Sequence, residues 1–292
     1  MFEGSEKHIK EAPMESKDVL YEKKEKVAVL TLNRPARMNA YSPEMRAGIV
    51  KAIEDAADDP DIRALIITGA GDKAFCTGYD WTLRASQNPA EIGLGERYRL
   101  DPLGWIARWV HQLGKITIAA VNGVAAGGGA GLALSCDFRI ASEKARLSTA
   151  FIRRGLVIDT GVAYFLPRLV GLTRALEIAL SGDIIDAREG EQIGLFTKVV
   201  PHSELMKAAF EFAQRFTKWS PVALHLTKRL LHKGLLSSLE ETLEWETYCQ
   251  LICYQVEDDV KEGVRSFLEK REPVFTGRFA GVDVPEYVKK MF

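Results

Sequence analysis

Apolar residues along this chain follow two kinds of pattern, which change over near residue 200. In the first part, short and largely apolar runs recur: Val27-Ala-Val-Leu-Thr-Leu32, Leu65-Ile-Ile-Thr68, Ile116-Thr-Ile-Ala-Ala-Val121 and Asp137-Phe-Arg-Ile-Ala141. Their β-branched residues and abrupt polar borders predict strands, several of them covered on both faces as in a parallel sheet. Helical spacing fills the intervals. Met45, Ile49, Ile53 and Ala57 follow Ser42-Pro43, a cap and a first-turn proline, and the pattern stops at Asp58-Asp59-Pro60. Trp105 to Leu113 reads as another helix, residues 69 to 78 as a loop, and Ser142 to Lys144 as a turn. Strands that alternate with helices predict an α/β fold with crossover connections.

Beyond about residue 200 the strand signal fades, and residues 203–218, 221–233 and 236–269 read as three helices. In the last, Leu236, Leu239, Leu243 and Leu251 lie near helical spacing, while Trp245, Tyr248 and Tyr254 add more apolar bulk than one buried face needs. Self-association is therefore expected. The resulting division is a loosely held polar tail over 1–18, an α/β core over 19–200, and a helical region over 201–292 that covers the core or mediates assembly.

Composition narrows the function. The 292 residues are 47% hydrophobic and 27% charged, enough for a substantial core. Lys and Arg (39) almost cancel Asp and Glu (40), for a net charge of -1, which excludes a general nucleic-acid binder. No apolar run reaches the length of a membrane span, four cysteines do not form a secretory disulfide framework, and the opening residues lack a signal core. A soluble cytoplasmic enzyme is the expectation.

The strongest chemical signal is Gly123-Val-Ala-Ala-Gly-Gly-Gly-Ala-Gly131, which follows a predicted strand. Glycines at a helix start leave backbone N–H groups free to bind anionic oxygen, although close helix–strand packing explains the same residues. The run lacks the setting of a dinucleotide-binding fingerprint, and no Walker sequence is present. A second loop, Ala74-Phe-Cys-Thr-Gly-Tyr-Asp80, leaves a different strand, and two converging N–H groups would form an oxyanion hole. Asp159, in Arg154-Gly-Leu-Val-Ile-Asp-Thr-Gly161, has two readings that stay open: an acid–base group at an apolar pocket edge, or the N-cap of a helix. His8 lies in the tail, His202, His225 and His232 have no ligand partners nearby in sequence, and His111 is expected at the surface. Cys249 and Cys253 share a helix face without completing a zinc site, Cys76 and Cys136 have no evident basic partner, and no GxSxG elbow occurs. No metal site is expected.

Jointly, Leu32-Asn-Arg-Pro35 with Asn39-Ala40, the 74–80 loop, Val121-Asn-Gly-Val-Ala-Ala-Gly-Gly-Gly129 with Cys136-Asp137, Phe165-Leu-Pro-Arg-Leu-Val-Gly171 and Glu262-Gly-Val-Arg-Ser-Phe-Leu-Glu-Lys-Arg271 resemble the crotonase (enoyl-CoA hydratase/isomerase) superfamily over about residues 19 to 280. The resemblance implies a spiral of ββα units with a C-terminal helical region, a trimer or dimer of trimers, and an acyl-CoA thioester as substrate, with no separate cofactor. It places one oxyanion-hole amide at Tyr79 and the other at Gly128. Arg34 and Ala40, with Thr77 and Asp80 of the second loop, fall where CoA is bordered in relatives. Tyr79, Trp81 and Phe151 would suit a bulky or cyclic acyl group.

The departures from the family pattern set the expected reaction. Hydratases of this family use two glutamates, and the matching positions here are Gly131 and Phe151. Asp159 instead matches an aspartate used by some relatives for other chemistry, in a pattern nearest the phenylacetate-pathway enoyl-CoA isomerases. The expectation is therefore an isomerase that shifts a double bond with Asp159 as its acid–base group. The alternatives are an enoyl-CoA or cyclic dienoyl-CoA hydratase with a single-aspartate site, and a non-catalytic acyl-CoA binder.

Overall fold

The apolar runs become the middle of a parallel sheet. The structure, a computed structural model, describes residues 17–84 and 102–277. Its strands are β1 (Val19–Lys24), β2 (Val27–Leu32), β3 (Ala64–Gly69), β4 (Ala74–Cys76), β5 (Ile116–Val121), β6 (Val124–Ala126), β7 (Phe138–Ser142), β8 (Arg146–Ser148), β9 (Ile185–Asp186) and β10 (Lys198–Val200). Six form one sheet in the order β1-β2-β3-β5-β7-β10, parallel except for the β1–β2 pair. The other four form a second sheet, β4-β6-β8-β9. The helices are α1 (Pro43–Asp58), α2 (Trp81–Arg84), α3 (Pro102–Gln112), α4 (Gly128–Ser135), α5 (Val162–Val170), α6 (Leu172–Ser181), α7 (Ala187–Gln192), α8 (Leu205–Thr217), α9 (Pro221–Gly234), α10 (Leu239–Gln255) and α11 (Glu257–Glu269).

The two-residue period of the strands explains why their sequences are apolar throughout. Val27, Val29, Ala64, Ile66, Ile116, Ile118 and Ile140 point to one face, where Leu205, Ala209 and Ala213 of α8 cover them. Ala28, Leu30, Leu32, Leu65, Ile67, Ala119 and Val121 point to the other face and into the main core with α1, α3 and α4. Three successive strand pairs, β3–β4, β5–β6 and β7–β8, each put their first strand in the large sheet and their second in the small one. That repetition is the spiral. It brings the chain segments after β4 and after β6 side by side, since β4 and β6 are paired in parallel.

Several expectations need correction. The 69–78 loop contains β4, and the glycine run contains β6; three-residue strands are too short to show a period. Residues 236–269 form two helices, because Val256 leaves helical geometry with φ -88 and ψ 65. The acidic first turn Glu257-Asp258-Asp259 favours a new start there. His111 is half-buried rather than on the surface, its ring centroid 4.2 Å from that of His232 and 5.1 Å from that of Phe165. Burial, then the nearby charges of His232 and Lys228, pushes its pKa down to about 4. His225 is pushed down to about 4 by burial and by Arg229 and Lys228. Apart from Lys17 and Asp18, the predicted tail lies outside the described residues, as does His8.

A buried ion pair ties α9 to the sheet. The Lys228 ammonium donates to Asp137 Oδ2 (2.8 Å) and to the carbonyls of Leu113 (2.9 Å) and Lys115 (3.1 Å). Asp137 also accepts from the N–H and hydroxyl of Thr117, at 2.8 and 3.0 Å. Burial alone would raise its carboxyl pKa, but Lys228, His232 and the Thr117 N–H outweigh that and hold it low. Cys249, read as a small hydrophobe, is 3% exposed in a cluster with Val222, Leu226 and Ile252.

Candidate active site

The paired strands β4 and β6 fix the centre of the site. Where the chain leaves β4, Gly78 adopts φ +81, and a side-chain carbon built on it would lie 2.8 Å from the amide nitrogen of Gly128 and 2.9 Å from the carbonyl oxygen of Ala126. The two loops are therefore in direct backbone contact, and only glycine fits between them. Gly128 is the first residue of α4, so its N–H has no acceptor within the helix. Tyr79 forms a parallel bridge with Tyr41, in which the Tyr41 N–H donates to the Gly78 carbonyl at 2.8 Å. The amides of Tyr79 and Gly128, singled out in the sequence, thus leave neighbouring strands at the same end.

The second group of predicted residues holds these loops together. The Arg34 guanidinium donates to the Ala40 carbonyl (2.6 Å) and to Asp80 Oδ2 (3.1 Å), and it faces Asp18 at 3.4 Å. Asp80 is 5% exposed and accepts from the N–H and hydroxyl of Thr82 at 3.1 and 2.6 Å. The Thr82 hydrogen bonds, with Arg34, hold its carboxyl below the usual carboxylate range against the opposing effect of burial. Thr77 donates through both its N–H and its hydroxyl to the Met38 carbonyl, at 3.2 and 3.3 Å. Buried Asn39 donates to the carbonyls of Ala70 and Ala74 at 3.0 and 2.8 Å. Arg34, Ala40, Thr77 and Asp80 are accordingly the struts between residues 33–41 and the loop after β4.

Residues 151–161 close the other side. Phe151 is 8% exposed and packs over Gly127, while Tyr79 and Trp81 meet edge to face at 5.9 Å. The Arg154 guanidinium lies 5.6 Å from the Trp81 ring centroid. Asp159 is exposed, and of the apolar run expected to wall it only Ile158 packs against the core, since Leu156 and Val157 are also exposed. The capping reading falls to another residue: α5 begins at Val162, with Gly161 at the cap position, and the Asp159 carbonyl accepts from the Val162 N–H at 3.0 Å. Cys76, in the heart of the site, is fully buried, and burial pushes its thiol up to about 12, so it offers no thiolate. Among the described residues no group of three or more His, Cys, Asp or Glu is placed to hold a metal ion.

A model of the enoyl-CoA hydratase/isomerase family matches residues 22–278. The chain belongs to that family. It is an enzyme of the enoyl-CoA hydratase/isomerase type, and its fold is the crotonase fold. It is 35% identical to the crotonyl-CoA hydratase of Syntrophomonas wolfei over 269 residues, 91% of this chain and all of the relative. To the 1,2-epoxyphenylacetyl-CoA isomerase of Escherichia coli it is 36% identical over 255 residues, 86% of this chain and 95% of the relative. Among solved structures, the enoyl-CoA hydratase from Bacillus anthracis superposes with a TM-score of 0.84 at 32% identity, covering 89% of this chain and all of that one. No helix among the described residues is long and apolar enough to cross a membrane. Tyr41, Arg154 and Thr160 touch these predicted residues or the Gly131 position without having been singled out in the sequence. Tyr41 bridges Tyr79, Arg154 covers Trp81, and Thr160 packs against Gly131. Their one signal was proximity to residues already chosen.

Proposed function

We propose that the protein moves a carbon–carbon double bond within an enoyl-CoA thioester, with Asp159 as the sole acid–base group. The thioester carbonyl accepts hydrogen bonds from the amides of Tyr79 and Gly128, which stabilise negative charge as it develops on oxygen. A proton on the carbon next to the carbonyl becomes acidic, and Asp159 removes it to leave a dienolate. The same carboxyl group returns the proton two carbons further along. No water is consumed and no electrons leave the substrate, so one carboxylate suffices and the CoA thioester needs no partner cofactor.

One observation carries this reading: the carboxylates of the three loops are unequal. Asp80 is buried and committed to Thr82 and Arg34. The segment around Gly128 has no acidic residue, Gly131 and Phe151 have no titratable group, and Asp159 is the one acid between residues 151 and 161. Water addition is the second reading, because several relatives bear the name hydratase. Asp159→Asn keeps the shape and removes the proton acceptor, so turnover should fall by roughly 10² or more while binding of a non-reacting acyl-CoA persists. The assay follows double-bond migration, hydration and deuterium exchange together. Rapid hydration without migration by the natural enzyme replaces this reading with the hydratase one; near-normal turnover by the variant removes Asp159 from the chemistry.

The same family reading supports assembly into trimers or pairs of trimers. Leu236, Leu239, Leu243 and Leu251 are all more than half exposed in the single chain. Light scattering at micromolar concentration should give a mass of three or six chains, and a stable monomer overturns this.

A further inference from the structure

We propose that Thr160 positions Asp159 by clamping the 159–161 turn onto helix α4 at Gly131, an inference that rests on Asp159 being the acid–base group. A side-chain carbon built on Gly131 would lie 2.2 Å from Thr160 Oγ1, 2.5 Å from its carbonyl oxygen and 2.8 Å from its Cβ. Real carbon contacts do not come this close, so the helix backbone at Gly131 lies directly against both the side chain and the carbonyl of Thr160. Gly131 donates its N–H to the Gly127 carbonyl at 3.1 Å, in the same helical turn that presents the Gly128 amide. The clamp thus joins the carboxylate side of the site to the amide side.

Threonine is a poor residue for this place on local grounds. It holds φ +50, in the left-handed region, where a β-branched side chain is strained. Its hydroxyl is buried without a hydrogen-bond partner, although the residue is only 6% exposed. Both features disfavour the folded state, and what the side chain gains is its contact with α4. On the other side of Asp159, Ile158 packs part-buried against the main core, while residues 152–157 are all exposed. On the Thr160 side the 159–161 turn is held on α4 by shape, through its contact with Gly131.

The test compares Thr160→Gly, Thr160→Val, Gly131→Ala and the Gly131→Ala/Thr160→Gly double variant, with Asp159→Asn alongside. Glycine accepts the left-handed backbone, so Thr160→Gly should fold. Its kcat should fall about tenfold or more, and that of Gly131→Ala by about 10², as a misplacement near 1 Å produces, while the Kd of a non-reacting acyl-CoA stays close to its original value. Thr160→Val keeps the shape without the hydroxyl and should retain most of kcat. The double variant should be no slower than Gly131→Ala, because both changes displace one turn. Unchanged kcat in Thr160→Gly, equal losses in Thr160→Gly and Thr160→Val, or losses that multiply in the double variant overturn the clamp. If Gly131→Ala does not fold, the two Thr160 variants still decide. An inactive Asp159→Asn beside an unimpaired Thr160→Gly removes this inference alone, whereas an active Asp159→Asn removes the proposed reaction and the clamp with it.

Discussion

The amides of Tyr79 and Gly128 follow paired strands of one sheet, whereas Asp159 stands exposed on a loop between part-buried Ile158 and buried Thr160. On the amide side the proposed reaction uses backbone groups, and their places are set by β4, β6 and buried struts such as Arg34–Asp80 and Asn39. On the carboxylate side the proposed reaction uses one side chain, on a segment where Leu156 and Val157 are open to solvent and Ile158 packs against the core. The physical lesson concerns what each element must preserve. An oxyanion hole depends on backbone placement, so its side chains can vary as long as the strands and Gly78 persist. An acid–base group depends on its own side chain, so the loop that bears it can be remade with the chemistry.

The contrast is broken most severely at Gly78. Gly78→Ala forces a methyl group to 2.8 Å from the Gly128 nitrogen and a side chain into a φ of +81. Separating the two amides should lower kcat/KM by about 10² to 10³, the usual effect of losing an oxyanion donor. The urea midpoint should fall by the equivalent of about 1–3 kcal/mol. Steady-state kinetics and equilibrium unfolding check both, and retention of full activity would show that the loops need not touch.

Arg34→Ala tests the strut rather than the amides. It leaves the Asp80 carboxylate, 5% exposed, with the Thr82 donors but without its cation. Stability should fall by about 2–3 kcal/mol, since a buried charge loses its partner. KM for the thioester should rise more than kcat falls, because the amides keep their sheet. A variant with unchanged stability would make Arg34 a ligand-binding residue instead of a strut.

The long strands ahead of the proposed amides were legible in the sequence and the surroundings of Asp159 only partly so, for related reasons. β2, β3 and β5 bury both faces, so their identity is written in continuous apolar runs, and the loops after them are located by counting from strand ends. β4, β6 and β8 are three residues each, too short for a period to emerge, so the second sheet and the contact between the loops stayed hidden. Asp159 was singled out by its residue type and family position; of the apolar run before it, which suggested a buried edge, Ile158 packs part-buried on the core while Leu156 and Val157 are exposed. Thr160 left no trace, because a left-handed backbone at threonine is imposed by tertiary contact. In the helical region, Glu257-Asp258-Asp259 was a readable start signal that the leucine spacing masked.

Acid should sharpen the comparison with a smaller effect, and in a third place. Among the described residues, no histidine lies in the segments that carry the proposed amides and Asp159, whereas His111 and His225 lie where α3 and α9 meet, near His232, Lys228 and Arg229. Both rings have a folded-state pKa of about 4, below the unfolded value near 6.5. Between these values the unfolded chain binds protons that the folded chain does not, so folding stability rises with pH and is lost progressively from about pH 6.5 down to 4. Depressed Asp137 and Asp80 act in the same direction only lower, as pH falls below the ordinary carboxylate range. The urea midpoint should therefore decline between pH 7 and pH 5, and His111→Asn should flatten that decline. Partial exposure of the His111 ring keeps its share modest. Turnover per folded molecule should not follow the midpoint, because His111 and His225 pack between α3 and α9 and not among the residues placed around the proposed amides and Asp159. If stability is flat from pH 7 to pH 5, the histidines are more hydrated than their packing implies. If His111→Asn changes kcat as much as the midpoint, the helical region and the site are coupled, and the separation between them fails.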